Sequence, residues 1–347
     1  MGDRVGMKKV NVEKLEPGIE LGKDLYSFDG QLLLAKGTVI TSRHLERLLS
    51  QGIQYLYVLE PGGETGKGED FVTVYQRALD VVKSCFMEVK WGKPLQKEEV
   101  LGLVDTLVDT VLSETNIFKQ LRLMRDKDEY LFTHSINVAA LAVLTAKWLK
   151  CDQETIRLIG TAGILHDIGK VFIPHEILAK PGALAEEEFE QIKRHPVLGY
   201  NLVLEHDWIK PAVAEAVLKH HERLDGSGYP LGLTGERIGF MARVIMVVDI
   251  YDAITSERVY APRQTPYRAV DELWNESFGR VDPEISKVFY DRVADFFVGQ
   301  KVLLSNGEVA EVILVNRSSP TRPLVLAGNR FHDLAIERGI SIQQIID

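Results

Sequence analysis

Seven side chains between positions 134 and 249 could do metal chemistry: His134, His166, Asp167, His195, His220, His221 and Asp249. Each stands beside apolar residues that should draw it towards a core. In the run Gly163-Ile164-Leu165-His166-Asp167-Ile168-Gly169-Lys170, two adjacent polar groups sit between apolar neighbours, and burying them without a partner would be costly. Asp249 lies inside Val247-Val248-Asp249-Ile250, where an unpaired carboxylate would be expensive. A divalent cation is a partner that removes both costs. Any one of these histidines alone would be an ordinary core or surface side chain. Five of the chain's nine histidines fall in this set, which chance explains poorly. The other four, His44, His175, His206 and His332, lie outside any such pattern and are expected at the surface.

Imidazoles with carboxylates and no thiolate suit iron, manganese, zinc and similar borderline ions, rather than calcium or a structural cysteine–zinc site. Seven donors exceed what one ion with an open position needs, and an aspartate can bridge two ions through its two oxygens, so two divalent ions are expected. Such a pair neutralises charge on a phosphoryl oxygen and lowers the pKa of a shared water until hydroxide forms at neutral pH. Lys170 follows Asp167 by three residues and His166 by four. That spacing puts it on their helical face, within reach of a phosphate held there. Arg258, nine residues past Asp249, carries a fork that fits a phosphate oxygen.

The elements that must position these groups are helices. From 70 to 297 apolar residues recur at three and four positions, as in Leu103, Val104, Leu107, Val108 and Val111, or Val138, Leu141, Leu144 and Trp148. The pattern breaks at Pro174, at Pro181-Gly182 and across the Gly/Pro-rich stretch 225–239. Before it, residues 1–62 predict a small α+β domain. Strand-like 22–28 and 31–35 flank an Asp29-Gly30 turn, and Thr41 or Ser42 caps a helix over 43–50 ahead of strand-like 54–59. Residues 63–69 read as a linker. After the helices, 298–347 predict a short β-rich segment, with strands at 300–304 and 308–315 around Asn306-Gly307 and a further strand at 324–326.

The chain of 347 residues has 45% hydrophobic and 26% charged residues and a net charge of -9. This is the composition of a folded multidomain protein, and it argues against bulk nucleic-acid binding, which needs a basic surface. No stretch approaches the roughly 18 apolar residues of a membrane span. Asp3, Arg4, Lys8 and Lys9 interrupt any secretory apolar region, and Cys85 and Cys151 have no metal-type spacing. A reduced cytoplasmic setting, away from the membrane, is the expectation.

These residues resemble a known family. His166-Asp167-Ile168-Gly169-Lys170 looks like the HD signature, and His220-His221-Glu222-Arg223-Leu224-Asp225-Gly226-Ser227-Gly228-Tyr229-Pro230 looks like the HHExxDGxGYP signature of HD-GYP proteins. Collinear matches at His134-Ser135, Lys180-Pro181-Gly182, His195-Pro196, Asp249 to Ser256 with Arg258, Phe278-Gly279 and Asp282-Pro283 extend the likeness over about 120–297. The resemblance implies a mainly α protein with an all-helical HD-GYP core, the seven side chains as metal ligands with Asp167 as the bridge, and iron or manganese as the ions. It also implies hydrolysis of cyclic di-GMP, or a related cyclic dinucleotide, to pGpG or GMP by a metal-bridged hydroxide. Asp167 and Lys170 would act in catalysis. Lys170, Arg258 and the loop residues Gly226, Gly228, Tyr229 and Pro230 would shape the substrate site, with the glycines permitting backbone closed to other residues and Tyr229 offering a ring for stacking.

Two positions depart from the family pattern. Tyr130 stands where family members with three metals carry a glutamate, and Ala261 replaces a second basic residue, with Arg263 two places on. Two ions are therefore expected. The motifs leave open a catalytically weak regulator that binds nucleotide or protein partners, and a phosphodiesterase for another cyclic dinucleotide. A homodimer through the terminal domains and signalling partners are further expectations.

Overall fold

The computed structural model of the chain describes residues 7–26, 32–50, 52–59, 71–114, 117–124, 129–256, 265–276, 278–316 and 319–346. The Asp29-Gly30 turn, the 63–69 linker, Arg258, Ala261 and Arg263 lie outside the described residues. Contacts divide the chain into two compact units, Met1–Gly68 with Phe297–Asp347, and Glu69–Phe296.

The first unit contains β1 (Met7–Asn11), β2 (Leu25–Tyr26), β3 (Leu32–Leu34), α1 (Ser42–Ser50) and β4 (Tyr55–Leu59). Strand β1 pairs antiparallel with β4, and β2 with β3. The Thr41 hydroxyl accepts the His44 N–H at 3.3 Å, capping α1 as the spacing predicts. The second segment supplies β5 (Lys301–Leu304), β6 (Val309–Asn316), β7 (Ser319–Ala327), β8 (Arg330–Asp333) and β9 (Ile342–Ile346), joined in one sheet of order β8-β7-β6-β5-β9.

Leu314 of β6 packs on the core of Val12, Leu21, Ile40, Leu48 and Leu56, and Lys23 Nζ meets Glu311 Oε1 at 2.7 Å. The sequence pattern sets residues 1–62 and 298–347 apart, whereas in the structure these segments share one unit. Contacts between segments 288 residues apart, as for Lys23 and Glu311, leave no local signal. Strands β1, β8 and β9 also escape the pattern, because MKKVN, RFHD and IQQII lack clean apolar–polar alternation.

His332 corrects an expectation. It is 2% exposed rather than on the surface, since β8 turns it inwards. Its Nδ1 hydrogen-bonds Glu337 at 2.9 Å, which offsets part of the cost of burying the ring.

Among the described residues, the regular elements of the second unit are helices: α2 (Phe71–Lys90), α3 (Lys97–Ser113), α4 (Ile117–Leu123), α5 (Tyr130–Trp148), α6 (Gln153–Leu165), α7 (His175–Leu178), α8 (Glu186–Ile192), α9 (His195–Leu204), α10 (Pro211–Lys219), α11 (Phe240–Thr255), α12 (Pro266–Glu276) and α13 (Pro283–Asp295). Helices α5 and α11 form its centre. Helix α5 is buried without interruption from Thr133 to Ala146, and packs against α2, α3, α6, α11 and α13. Its apolar residues run all round the axis, which is the pattern of a buried helix. Each fully buried Val or Leu stabilises by about 1.5–3 kcal/mol, so polar residues on α5 and α11 are held in fixed places by their neighbours.

Two glycines set the approach of these elements. A Cβ on Gly163 of α6 would lie 2.5 Å from the Ala139 Cα of α5. A Cβ on Gly169, in the 3-10 turn Ile168–Phe172, would lie 2.0 Å from the His195 carbonyl oxygen at the start of α9. No bulkier residue fits at either contact. Together they bring the end of α6 against both α5 and α9.

Candidate metal centre

His134 lies in the second turn of α5, and Asp249 faces it from α11. His166 and Asp167 follow the C-terminal end of α6, His195 opens α9, and His220 and His221 follow α10. The structure brings all seven side chains together. His134, His166, Asp167, His195 and His220 are at most 1% exposed. Asp167 divides its oxygens: Oδ2 lies 3.5 Å from His134 Nε2 and 3.4 Å from His166 Nε2, while Oδ1 lies 3.1 Å from His195 Nε2 and 3.8 Å from His220 Nε2. Asp249 divides likewise, with Oδ1 3.1 Å from His134 Nε2 and Oδ2 3.6 Å from His221 Nδ1.

The far nitrogen of each of four rings is committed. The Nδ1–H groups of His166, His195 and His220 donate to the carbonyls of Gly163, Ile192 and Val217 at 2.8, 2.7 and 2.8 Å. His134 Nδ1–H donates to Asp252 Oδ2 at 2.8 Å. A carbonyl or carboxylate can only accept, so in the neutral rings the Nε2 lone pair faces inwards. At His195 and His220 the lone pairs therefore face the Asp167 carboxylate with no proton between them, and the buried Asp167 Oδ1 finds no hydrogen-bond donor. Donor separations of 3.1–3.8 Å are near the roughly 3.0–3.5 Å expected between ligands that share an ion at about 2.1 Å. The donor set thus fits metal, and the cluster is able to hold it.

Electrostatics divide the cluster. Burial alone would raise Asp167, but the Lys170 ammonium, with Nζ 2.5 Å from Oδ2, and the His166 ring hold it well below the usual carboxylate range. Asp249 is also held low, by His134 and His221 against the effect of burial. Burial would lower His134, but the hydrogen-bonded Asp249 and Asp252 carboxylates outweigh it and hold the metal-free ring at about 9. Burial depresses His195, and, with the nearby imidazoles, depresses His220 and His221 far below the usual value. Those three rings are neutral at pH 7.

The loop after His221 forms one wall. Gly226 adopts φ +82°, and a Cβ on Gly228 would lie 2.4 Å from the Glu222 backbone. The Tyr229 ring lies 4.7 Å from the His221 ring, and its N–H donates to the His221 carbonyl. Half-buried Pro230 leads to Leu231, whose N–H donates to Glu222 Oε1 at 2.7 Å, and Leu233 N–H donates to Oε2 at 2.8 Å. Fully buried Glu222 therefore clamps the loop. Neither its role nor that of Asp252 is evident from spacing, although both fall inside recognised motifs. Tyr130 stacks on the His134 ring at 5.3 Å, and Glu129 is paired with Lys83.

Residues 120–285 match the family model described as HD domain. The chain is 36% identical over 251 residues to the cyclic di-GMP phosphodiesterase PA4108 of Pseudomonas aeruginosa, covering 72% of this chain and 60% of that protein. It is 42% identical over 145 residues to the cyclic di-GMP phosphodiesterase response regulator RpfG of Xanthomonas campestris, covering 41% of this chain and 38% of that protein. A 3'3'-cGAMP-specific phosphodiesterase 1 of Vibrio cholerae is 37% identical over 163 residues, covering 47% and 38%. The chain thus spans less than two thirds of the length of each of these relatives. In fold it resembles Bd1817, an HDG"Y"P protein from Bdellovibrio bacteriovorus, with a TM-score of 0.56 at 16% identity over 83% of this chain and 99% of that one. Motifs, matched domain and fold together make this chain a member of the HD-GYP family.

Proposed function

We propose that the chain is a metal-dependent phosphodiesterase that hydrolyses cyclic di-GMP to pGpG or GMP. The observation that carries this reading is the division of Asp167, one oxygen towards His134 and His166 and the other towards His195 and His220. The names of relatives such as PA4108 and RpfG support the substrate. We infer two ions, iron or manganese, held by His134, His166, Asp167, His195, His220, His221 and Asp249. Tyr130 covers one face of His134 and Glu129 is engaged by Lys83, which supports two ions over three.

Two bound cations supply Lewis-acid neutralisation of phosphoryl charge and a water acidic enough to attack at neutral pH. The chain's own groups do the positioning. The inward-facing Nε2 atoms and the two divided carboxylates fix where the phosphodiester lies. The Lys170 ammonium, beside Asp167 Oδ2, stabilises a phosphate oxygen as negative charge grows and the ribose 3'-oxygen departs. Arg258 offers a second cation, and the loop of Gly226, Gly228, Tyr229 and Pro230 closes the pocket, with the Tyr229 ring available to a base.

Protein loaded with iron or manganese under reducing conditions should linearise cyclic di-GMP. Absence of turnover with any ion would overturn the reading in favour of a nucleotide-binding regulator. A second substrate, 3'3'-cGAMP, is favoured by the name of one relative; side-by-side hydrolysis rates decide between the two. No helix among the described residues is long and apolar enough to cross a membrane.

A further inference from the structure

Among the four imidazoles whose far nitrogen is committed, three are aimed by their own chain. The accepting carbonyls of Gly163, Ile192 and Val217 each lie three residues before the ring they hold. His134 is different, because its Nδ1–H is held by Asp252, 118 residues away on α11. Asp252 is 0% exposed and satisfied by further donors. Ser256 Oγ–H reaches Oδ2 at 3.0 Å, and Asn137 Nδ2–H reaches Oδ1 at 3.2 Å. The Asn137 amide is itself oriented, since its oxygen accepts the Tyr75 hydroxyl at 2.9 Å from α2. Asn137 must present its NH2 to a carboxylate and its oxygen to a hydroxyl, so only one amide orientation satisfies both.

We propose that Asp252 is a positioning residue for the metal centre: with Asn137 and Tyr75 behind it, it aims the His134 Nε2 lone pair at the ion that His134 shares with His166. This rests on the metal reading above. Asp249 and Asp252 are one helical turn apart, so α11 grips both nitrogens of His134, one with a ligand to the ion and one with an orienting acceptor. A carboxylate behind a metal-bound imidazole fixes ring orientation and raises its basicity, and loss of such a partner weakens metal binding by about 10- to 100-fold. The dependence should fall on one ion. His195 and His220 keep their own carbonyls whatever happens at Asp252.

The test is Mn2+ titration of the apo protein, followed by electron paramagnetic resonance, on wild type, Asp252→Asn, Asp252→Ala and Tyr75→Phe. Asp252→Asn keeps an acceptor oxygen for His134 without the charge, Asp252→Ala removes it, and Tyr75→Phe deletes one hydroxyl behind it. The expected result is a graded loss confined to one of two Mn2+ sites, smallest in Tyr75→Phe and about 10- to 100-fold in Asp252→Ala. Asp252→Asn should fall between them. Folded variants that bind both ions as wild type does would overturn the proposal and leave the metal reading intact. Wild-type protein that binds no Mn2+ would overturn both. Tyr75→Phe removes only one oxygen, so it decides the matter should the Asp252 variants fail to fold.

Discussion

The rings of His166, His195 and His220 and the ring of His134 reach the same centre by different routes. The first three stand at helix ends and are oriented by carbonyls three residues earlier. His134 lies in the second turn of α5 and depends on side chains from α11 and, through Asn137, from α2. A locally held ligand is in place once its own turn forms. A ligand held across helices is in place only when three helices have packed, and its geometry is tied to the core. Protonation also sets His134 apart: it holds a proton up to about 9 in the metal-free protein, whereas burial keeps His195, His220 and His221 neutral.

Asp167 belongs to both sets, so Asp167→Ala should have the largest effect. In the proposed two-ion centre it removes a ligand shared by both ions, and metal binding and hydrolysis should fall by more than the roughly 10- to 100-fold typical of an outer hydrogen-bond partner. Elemental analysis together with an activity assay checks this. Retention of one full ion would break the symmetry assigned to its two oxygens.

Gly163→Ala should come next, because it pushes α6, which leads into His166 and Asp167, away from α5, which carries His134. Its Cβ would meet the Ala139 backbone at 2.5 Å, so α6 must move off α5 at a cost of about 1–3 kcal/mol. Urea unfolding measures that loss, and metal titration should show the ion shared by His134 and His166 weakened first.

Lys170→Ala separates binding of metal from binding of charge, since the ammonium touches Asp167 but supplies no ligand. Both ions should remain. kcat/KM should fall by about 10- to 100-fold, as expected for loss of a charged hydrogen bond of roughly 1.5–3 kcal/mol. Steady-state kinetics on protein with full metal content test this.

A last effect is one of pH. The proton on His134 must leave for an ion to bind, so affinity on that side should rise about tenfold per pH unit from neutral pH towards about 9 and then level off. No such proton sits on His220 or His221 at neutral pH, and affinity on their side should change less. Equal slopes at the two sites, measured by Mn2+ titration across that range, would contradict the difference between them.

Much of the centre is legible in sequence because its side chains sit in contiguous motifs. His166-Asp167 and His220-His221 are unusual among apolar neighbours, and the three- and four-residue periodicity places them on helices. What is hidden depends on tertiary contact. Nothing near Asp252 announces that it meets His134 across 118 residues, and Glu222 becomes a clamp only once the loop folds back to bring the N–H groups of Leu231 and Leu233 onto it. Gly163 and Gly169 look like ordinary helix-weakening residues until the neighbouring backbones are in place. His332 reads as a surface residue because its carboxylate partners come from turns elsewhere in the sheet. The joining of the two terminal segments in one unit is likewise a contact property that no local pattern carries.

Anomalous diffraction from crystals of the manganese-loaded protein tests the centre most directly. Two peaks should appear, bridged by the two oxygens of Asp167, with His134 and His166 on one ion and His195 and His220 on the other. A single peak, or ions bound away from Asp167, would contradict the account.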